Sequence, residues 1–470
     1  MPKDFLSKFS TEDDLIAIRT LDKSISYKEL FERANALASS FDKVLTKSKK
    51  FIPILISNSE RFVEIILALW QCRKCVIPFN LKWTSEEIKD IINFYCFDNI
   101  IIETEYSDKL NKVNLNKIEL DNLSKDHSTS FNFDIDLNDE AIVIFTSGSS
   151  STPKGVVHTF NSLFNSVFNS QEILNLKPGD RILASLPFYH IGGFQIITRA
   201  LLNGCEIIIP KDLTITSIFE AITKYKPTHL SLVSTQLKRL IDLNLIPEKN
   251  IKSTLVGGGF IEDELIIMAD EKGWKPMRVY GSSETCSFVT AVKAEDVKYK
   301  PKTVGIPVEN CKIETNHNGE ILISTNSLFK GYLTKDLTTE NVLQNNFYAS
   351  GDIGFLDVDG YLFIEAKRTD LIITGGENVN PFEVENQLLK IDGIQEVCVF
   401  PKFDQEWGQI IAAAIVANKN LSEKDIIESL KKRLAGFKIP KKFYFTHSLP
   451  KTSIDKIDRK KVMDSYKSLD

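Results

Sequence analysis

Between residue 26 and about residue 235, two rhythms of apolar residues alternate along the chain. The stretch SYKELFERANALASSF carries its apolar positions at helical spacing, which predicts an amphipathic helix. FIPILIS (51–57), KCVIPFN (74–80), NIIIE (99–103) and AIVIFTS (141–147) are short, nearly unbroken apolar runs, the pattern of buried strands. That alternation predicts an α/β unit with largely parallel sheets. The polar segment DNLSKDHSTSFNFDIDLNDE (121–140) reads as a loop.

From about residue 300 the rhythm changes. GIPVENCKIETNHNGEILIST and DIGFLDVDGYLFIEA place Asn-Gly and Asp-Gly between β-rich runs, which predicts hairpins. Beyond 370 a βαβ-like pattern is expected: LIITGG, a helix over PFEVENQLLK, the strand VCVFPK, then IIAAAIVA, with a final helix over 422–434. A domain boundary is expected near 366–370, and the sequence contains no internal repeat or low-complexity tract.

At 470 residues the chain is too long for one compact core. A net charge of -5 argues against a general nucleic-acid binder but leaves phosphate ligands open, because local fields outweigh the total. The first residues, MPKDFLSKFSTEDD, lack the apolar core of a signal peptide. Runs such as IILALW (65–70) fall far short of the ~20 residues that span a bilayer. With seven scattered cysteines, a cytoplasmic protein is expected. Cys72 and Cys75 have CxxC spacing, but no second CxxC or His pair completes a zinc site, so core packing is the expected role.

TSGSSSTPKGV (146–156) follows a buried-strand pattern and invites comparison with a nucleotide loop. Counted from Gly148 in the Walker rule G-x-x-x-x-G-K-[ST], Pro153 stands at the second glycine and Gly155 at the magnesium hydroxyl. It is therefore no Walker loop. A hydroxyl-rich turn with one cation, Lys154, still suits a polyphosphate. Taken alone, it reads more readily as a plain serine-rich surface turn.

Six further blocks follow in order: LPFYHIGGF (186–194), VGGGF (256–260), VYGSSETCS (279–287), YASGD (348–352), KRTDLIITGGENVNPFEVE (367–385) and LPKTSIDKIDR (449–459). Together the seven blocks resemble the adenylate-forming superfamily of acyl-CoA ligases, luciferases and peptide-synthetase adenylation domains, over essentially the whole chain. The resemblance implies an α/β fold. A large N-terminal adenylating domain (1–368) would hold βαβ-type sheets and a small β-barrel-like subdomain. A small mobile α+β C-terminal lid (369–470) would carry the catalytic lysine. It also implies ATP, Mg2+ and coenzyme A, and a reaction through an acyl-adenylate to a thioester.

By motif position, the resemblance assigns Ser147, Ser149, Ser150 and Lys154 to the β- and γ-phosphates, with Thr146 and Gly148 in the same cofactor-binding set. Glu284 would hold the magnesium ion, Ser283 would face the α-phosphate, and Tyr280 and Gly281 would belong to the same nucleotide site. Gly257, Gly258 and Gly259 would border the adenine, and Asp352 would accept from the ribose hydroxyls. Lys456 would stabilise charge developing at the α-phosphate, Lys367 would join the nucleotide contacts, and Thr369 would mark the hinge of a lid rotation. That rotation would bring Gly375, Gly376, Glu377 and Asn378 to the pantetheine tunnel. His190 would close the acyl or pantetheine side.

Each position also has an ordinary reading: a turn for Asp352 or the glycine run, packing for His190. For Lys456 it is a solvated lysine in a tail where eleven Lys/Arg face two Asp/Glu between 431 and 461.

The blocks LPFYHIGGF, THLSLVSTQLKRLI (228–241), YGSSETCSFVTAV (280–292) and DQEWGQIIAAAIV (404–416) look most similar to the 2-succinylbenzoate–CoA ligases of menaquinone and phylloquinone biosynthesis. An aromatic keto-dicarboxylate is then the expected acid. Its second carboxylate needs a cation or hydroxyl donors, for which His190, Ser231 and Thr235 are candidates. Partners would be this acid, ATP and CoA, with no nucleic acid, no integral membrane segment, and a homodimer left open.

Departures from the family pattern are Ser151 and Asp455 for glycines, Lys367 for arginine and Phe260 for proline. They support one alternative, a catalytically weakened nucleotide-binding homologue. Two others stand apart from these departures: a ligase for another aryl or medium-chain acid, and transfer to a carrier protein, which the motifs do not separate from transfer to coenzyme A.

Overall fold

The computed structural model describes residues 8–46, 48–111, 113, 115–123, 135–146, 153–259, 261–317, 319–366, 372–450, 457 and 459–466. The apolar runs form the parallel core of an eight-stranded sheet: Asn116–Glu119, Asn99–Ile102, Phe51–Leu55, Cys75–Pro78 and Glu140–Thr146 lie side by side. Every residue of Phe51–Leu55, Cys75–Pro78 and Asn99–Ile102 is buried, as unbroken apolar strands require. The helix Tyr27–Leu45 starts where the Ser26 side chain accepts the Glu29 N–H. Trp70, on the helix Glu60–Gln71, packs edge-on against Phe160 and Phe194 and donates its Nε1–H to the Ala141 carbonyl at 2.9 Å. One indole thus ties two helices to a sheet. Burial pushes the Cys72 thiol up to about 12 and Cys75 well above its usual value, and both pack as small apolar groups.

The second sheet has thirteen strands. Its parallel part runs Ile16–Arg19, Glu206–Ile208, Arg181–Leu183, His229–Val233, Ser253–Gly257, Pro276–Ser282. The first of these lies before the region where alternation was expected to begin. An antiparallel run then continues from Ser287–Lys293 through Thr303–Pro307, Leu362–Ala366, Tyr348–Leu356 and Glu320–Thr325 to Cys311–Thr315. It encloses its own core of Val289, Ile313, Ile321, Ile323 and Leu362. Both expected hairpins are present. At the Asp-Gly turn, Asp357 Oδ1 accepts the N–H groups of Asp359 and Tyr361, each at 2.9 Å.

The C-terminal part corrects the sequence reading. LIITGG does not pair with VCVFPK across the helix, as a βαβ unit would; VCVFPK instead forms an antiparallel hairpin with IIAAAIVA, Ile394–Asp404 with Gly408–Ala417. The turn explains it: Asp404 Oδ1 accepts the N–H groups of Glu406 and Trp407, and Gly408 takes φ 72°. The parallel crossover comes later, from Gly408–Ala417 through Glu423–Lys431 to Lys442–Phe445. That helix is not the last, because Arg459–Tyr466 follows. LIITGG contributes Ile372–Thr374, which among the described residues pairs with Glu377–Val379 alone. Among the described residues, no helix is long and apolar enough to cross a membrane.

Candidate active site

Three parallel strands, His229–Val233, Ser253–Gly257 and Pro276–Ser282, end at one edge, and four of the seven blocks meet there. Open α/β sheets bind ligands beyond the carboxyl ends of their strands. Gly257 to Gly259 leave the second strand. Tyr280 leaves the third and donates its hydroxyl to Asp352 Oδ2 at 2.7 Å, so the YGSSE and SGD blocks are joined directly. Gly281 is required by close approach: a Cβ there would lie 2.1 Å from the Ser287 carbonyl oxygen.

Thr146 and Lys154 face each other across a hairpin of Glu140–Thr146 and Lys154–Thr159. The two ends of the TSGSSSTPKGV block therefore lie on paired strands. On the returning strand, His158 is buried, and its Nε2–H donates to the Ser283 carbonyl at 2.7 Å. Its Nδ1 lies 3.2 Å from Ser162 Oγ. Burial holds this imidazole down at about 4, although the Ser283 hydrogen bond and Glu284 oppose it. Glu284 itself is 3 % exposed. Its carbonyl accepts the Phe329 N–H at 2.8 Å, and its Oε1 accepts the Tyr332 hydroxyl at 2.9 Å. The Lys154 ammonium lies 5.0 Å from the centroid of the same tyrosine ring.

The GGEN loop of the C-terminal part reaches this edge. Virtual Cβ atoms on Gly258 and Gly376 would both touch Val233, and one on Gly259 would touch Ile373. Gly375, at φ 56°, donates its N–H to the Trp407 carbonyl, and a Cβ there would sit 2.6 Å from the indole. Arg239 and Lys441 flank that indole at 5.4 Å and 3.8 Å. Glu377 accepts from Lys82 at 2.6 Å and lies 3.2 Å from His190 Nε2. Burial alone would raise this carboxyl, but His190 and then Lys82 outweigh it and hold Glu377 at about 2. Further out, buried Lys438 pairs with Glu383 on its own side and with Glu87 across the junction.

Arg199 is a functional candidate that motif reading missed. It lies on the helix Ile191–Asn203, is 3 % exposed, and donates from Nη2 to Ser287 Oγ at 3.1 Å. Its guanidinium stacks on Phe288 at 5.2 Å, its Nε has no hydrogen-bond partner, and no carboxylate among the described residues pairs with it. Burial lowers it to about 10, with the Cys286 thiol opposing. Cys286 and Ser287, beside it, take φ values of 60° and 102°, conformations that are costly for residues with a side chain. The legible signal was a single cation inside the apolar run IGGFQIITRALLN.

The structure thus brings together Thr146, Lys154, His190, Gly257, Gly258, Gly259, Tyr280, Gly281, Ser283, Glu284, Asp352, Gly375 and Gly376 through a chain of pairings, hydrogen bonds and close approaches. Ser231 is buried on its strand, and its carbonyl accepts from Ser185 Oγ. Ser147, Gly148, Ser149, Ser150, Ser151, Phe260, Lys367, Thr369, Asp455 and Lys456 lie outside the described residues.

The family model described as AMP-binding enzyme matches residues 8–333, and the AMP-binding enzyme C-terminal domain matches 383–456. The 2-succinylbenzoate–CoA ligase of Staphylococcus epidermidis is 31% identical over 456 residues, covering 95% of this chain and 94% of its own. A double mutant of o-succinylbenzoate CoA synthetase from Bacillus subtilis, bound to the product analogue OSB-NCoA, is similar at a TM-score of 0.92 and 25% identity, covering 98% of each chain. The same enzyme with the acyl-adenylate intermediate OSB-AMP gives 0.74 at 25% identity, again covering 98% of each chain.

Proposed function

The chain belongs to the AMP-binding enzyme family, and from that premise we propose its reaction: ATP-dependent ligation of 2-succinylbenzoate to coenzyme A, a step of menaquinone or phylloquinone biosynthesis. First, a carboxylate oxygen of the acid attacks the α-phosphorus of ATP. The bond to the bridging oxygen breaks, and pyrophosphate leaves. Then the CoA thiol attacks the acyl carbon, the bond to AMP breaks, and the thiol proton passes to solvent.

The observation that carries the choice of acid is Arg199. A buried guanidinium without a counter-ion is costly, and an anionic group of the ligand offsets that cost. The activated carboxylate is consumed at the phosphate end, so Arg199 suits the second carboxylate of a dicarboxylic acid. This reading replaces His190, Ser231 and Thr235 with a residue whose charge fits the task.

In the first step, Lys154 and the hydroxyls of 146–150 would hold the phosphates, Asp352 the ribose, and Lys456 the charge developing at phosphorus. Mg2+ fits the donor set. Among the described residues no cluster of three or more His, Cys, Asp or Glu could hold a metal alone, but Glu284 is a buried carboxylate, and Mg2+ is commonly held by one or two carboxylates plus substrate phosphates. Bound there, the ion would offset phosphate charge.

The docked GGEN loop suits the second step, with Glu377 anchored by His190 and Lys82 beside the glycines. Greater likeness to the product-analogue complex than to the acyl-adenylate complex supports that reading. A cytoplasmic setting accords with seven free cysteines. The test is AMP release, with CoA present, across a panel of carboxylic acids. The expected result is a strong preference for 2-succinylbenzoate. Equal rates with benzoate or octanoate overturn the substrate but leave the reaction class.

A further inference from the structure

Tyr332 stands between the two charged groups on which the phosphate side of the site is built. It lies on the strand Gly331–Leu333, paired with Val156 of the lysine-bearing strand. Its hydroxyl donates to Glu284 Oε1 at 2.9 Å, while its ring face carries the Lys154 ammonium at 5.0 Å. An edge contact with Phe329, centroids 5.0 Å apart, holds the ring. Around Glu284 the backbone is already pinned, with the Ser283 carbonyl on His158 and its own carbonyl on the Phe329 N–H. What backbone pinning leaves open is rotation of the carboxylate about its terminal bond, a broad torsion in glutamate. The Tyr332 hydroxyl acts on that torsion.

We propose that Tyr332 is a positioning residue for adenylation: one side chain that sets the plane of the Glu284 carboxylate toward a divalent cation and the resting place of the Lys154 ammonium. This rests on Glu284 as the magnesium carboxylate. Mg2+ demands near-ideal octahedral oxygen geometry, so a carboxylate held in one plane binds it better than one free to turn. A phenol is the fitting donor. It hydrogen-bonds the carboxylate while bringing no positive charge, whereas a lysine or arginine in its place would repel the metal ion. The ring face in turn attracts an ammonium without consuming one of its N–H donors, which suits a lysine that is to hand them to phosphate oxygens.

The test compares the full-length protein with Tyr332→Phe, which keeps the ring, and with Glu284→Gln. Free Mn2+, standing in for Mg2+, is titrated by electron paramagnetic resonance in the presence of a non-hydrolysable ATP analogue. Tyr332→Phe is expected to weaken Mn2+ binding roughly tenfold, as loss of a partner behind a metal ligand typically does. The half-saturating Mg2+ for ATP–pyrophosphate exchange should rise by the same factor. Binding of the analogue in EDTA and the CoA step from pre-formed acyl-adenylate should not change. If Tyr332→Phe retains Mn2+ affinity while Glu284→Gln loses it, Tyr332 has no positioning role. Retention in both variants removes the Glu284 assignment and the proposal with it. Equal loss in the exchange and CoA steps reduces Tyr332 to a structural residue and also overturns the proposal.

Discussion

Glu87 and Lys438 lie 351 positions apart and meet at 2.6 Å, in a contact that leaves the lysine 3 % exposed. Glu87 Oε2 meanwhile completes a capping box, accepting the N–H and hydroxyl of Thr84, and the Thr84 hydroxyl also reaches the Arg433 carbonyl. The start of the helix Ser85–Tyr95 is therefore one of the surfaces on which the C-terminal part rests. Glu87→Gln keeps the cap and removes the charge facing Lys438, which retains Glu383. The CoA step from pre-formed acyl-adenylate should slow roughly tenfold, with ATP–pyrophosphate exchange unchanged. Half-reaction assays check this.

Lys438→Met leaves the buried Glu383 carboxylate facing the half-buried Glu87 without a cation between them. Burial, opposed by Lys438, already raises the Glu383 carboxyl, and burial opposed by both carboxylates leaves the lysine above its usual value. Removing the shared cation should cost about 3–5 kcal/mol, read from urea unfolding.

Glu377 sets a pH dependence. Its docked pKa of about 2 lies below the ordinary 4.5, so the undocked or unfolded state binds the proton more readily. The stabilisation is complete above pH 4.5 and is lost as pH falls toward about 2. Glu377→Gln should be less stable than the native chain at neutral pH, and the gap should close across that window.

His158 works in a different window. Its native pKa of about 4 against an ordinary 6.5 means that unfolding takes up a proton between them. Stability from this group is complete above 6.5 and falls as pH drops toward 4. His158→Asn, which keeps an N–H for the Ser283 carbonyl and cannot charge, should flatten urea midpoints over that range.

Arg199→Met removes the cation offered to the second carboxylate. A hydrogen bond to a charged group contributes about 1.5–3 kcal/mol, so kcat/KM for 2-succinylbenzoate should fall roughly 10- to 100-fold. An analogue lacking that carboxylate should react no more slowly than with the native chain. Equal loss with both acids would remove Arg199 from the acyl pocket.

Lys456→Ala should lose acid-dependent ATP–pyrophosphate exchange while still binding ATP, measured by exchange and by calorimetry. Unchanged exchange would end its assigned role.

The central strands were legible because Phe51–Leu55 and Cys75–Pro78 are buried on both faces and therefore apolar throughout. Ile16–Arg19 was not, since only its two middle residues are buried and it ends on Arg19, which breaks the apolar run. The C-terminal hairpin was missed because its turn depends on Asp404 and Gly408 within DQEWGQ, which hydropathy alone passes over. Within the site, Glu284 and Asp352 could be read from compact blocks. The contacts of Tyr332, Arg199 and Lys82 could not, because each has its partner 48, 88 or 295 positions away.

The hairpin that carries Thr146 and Lys154 separates two properties of the loop between them. Val143 pairs with Val157 and Ile144 with Val156, all fully buried, so the register that fixes the facing of Lys154 is set inside the core. A slip of one residue would turn the lysine to the opposite face. Changes in the length of 147–153 leave that register alone, and their entropic cost grows only logarithmically. Loop length can therefore be tuned for reach, by evolution or by design, while the direction of the cation is inherited from the sheet.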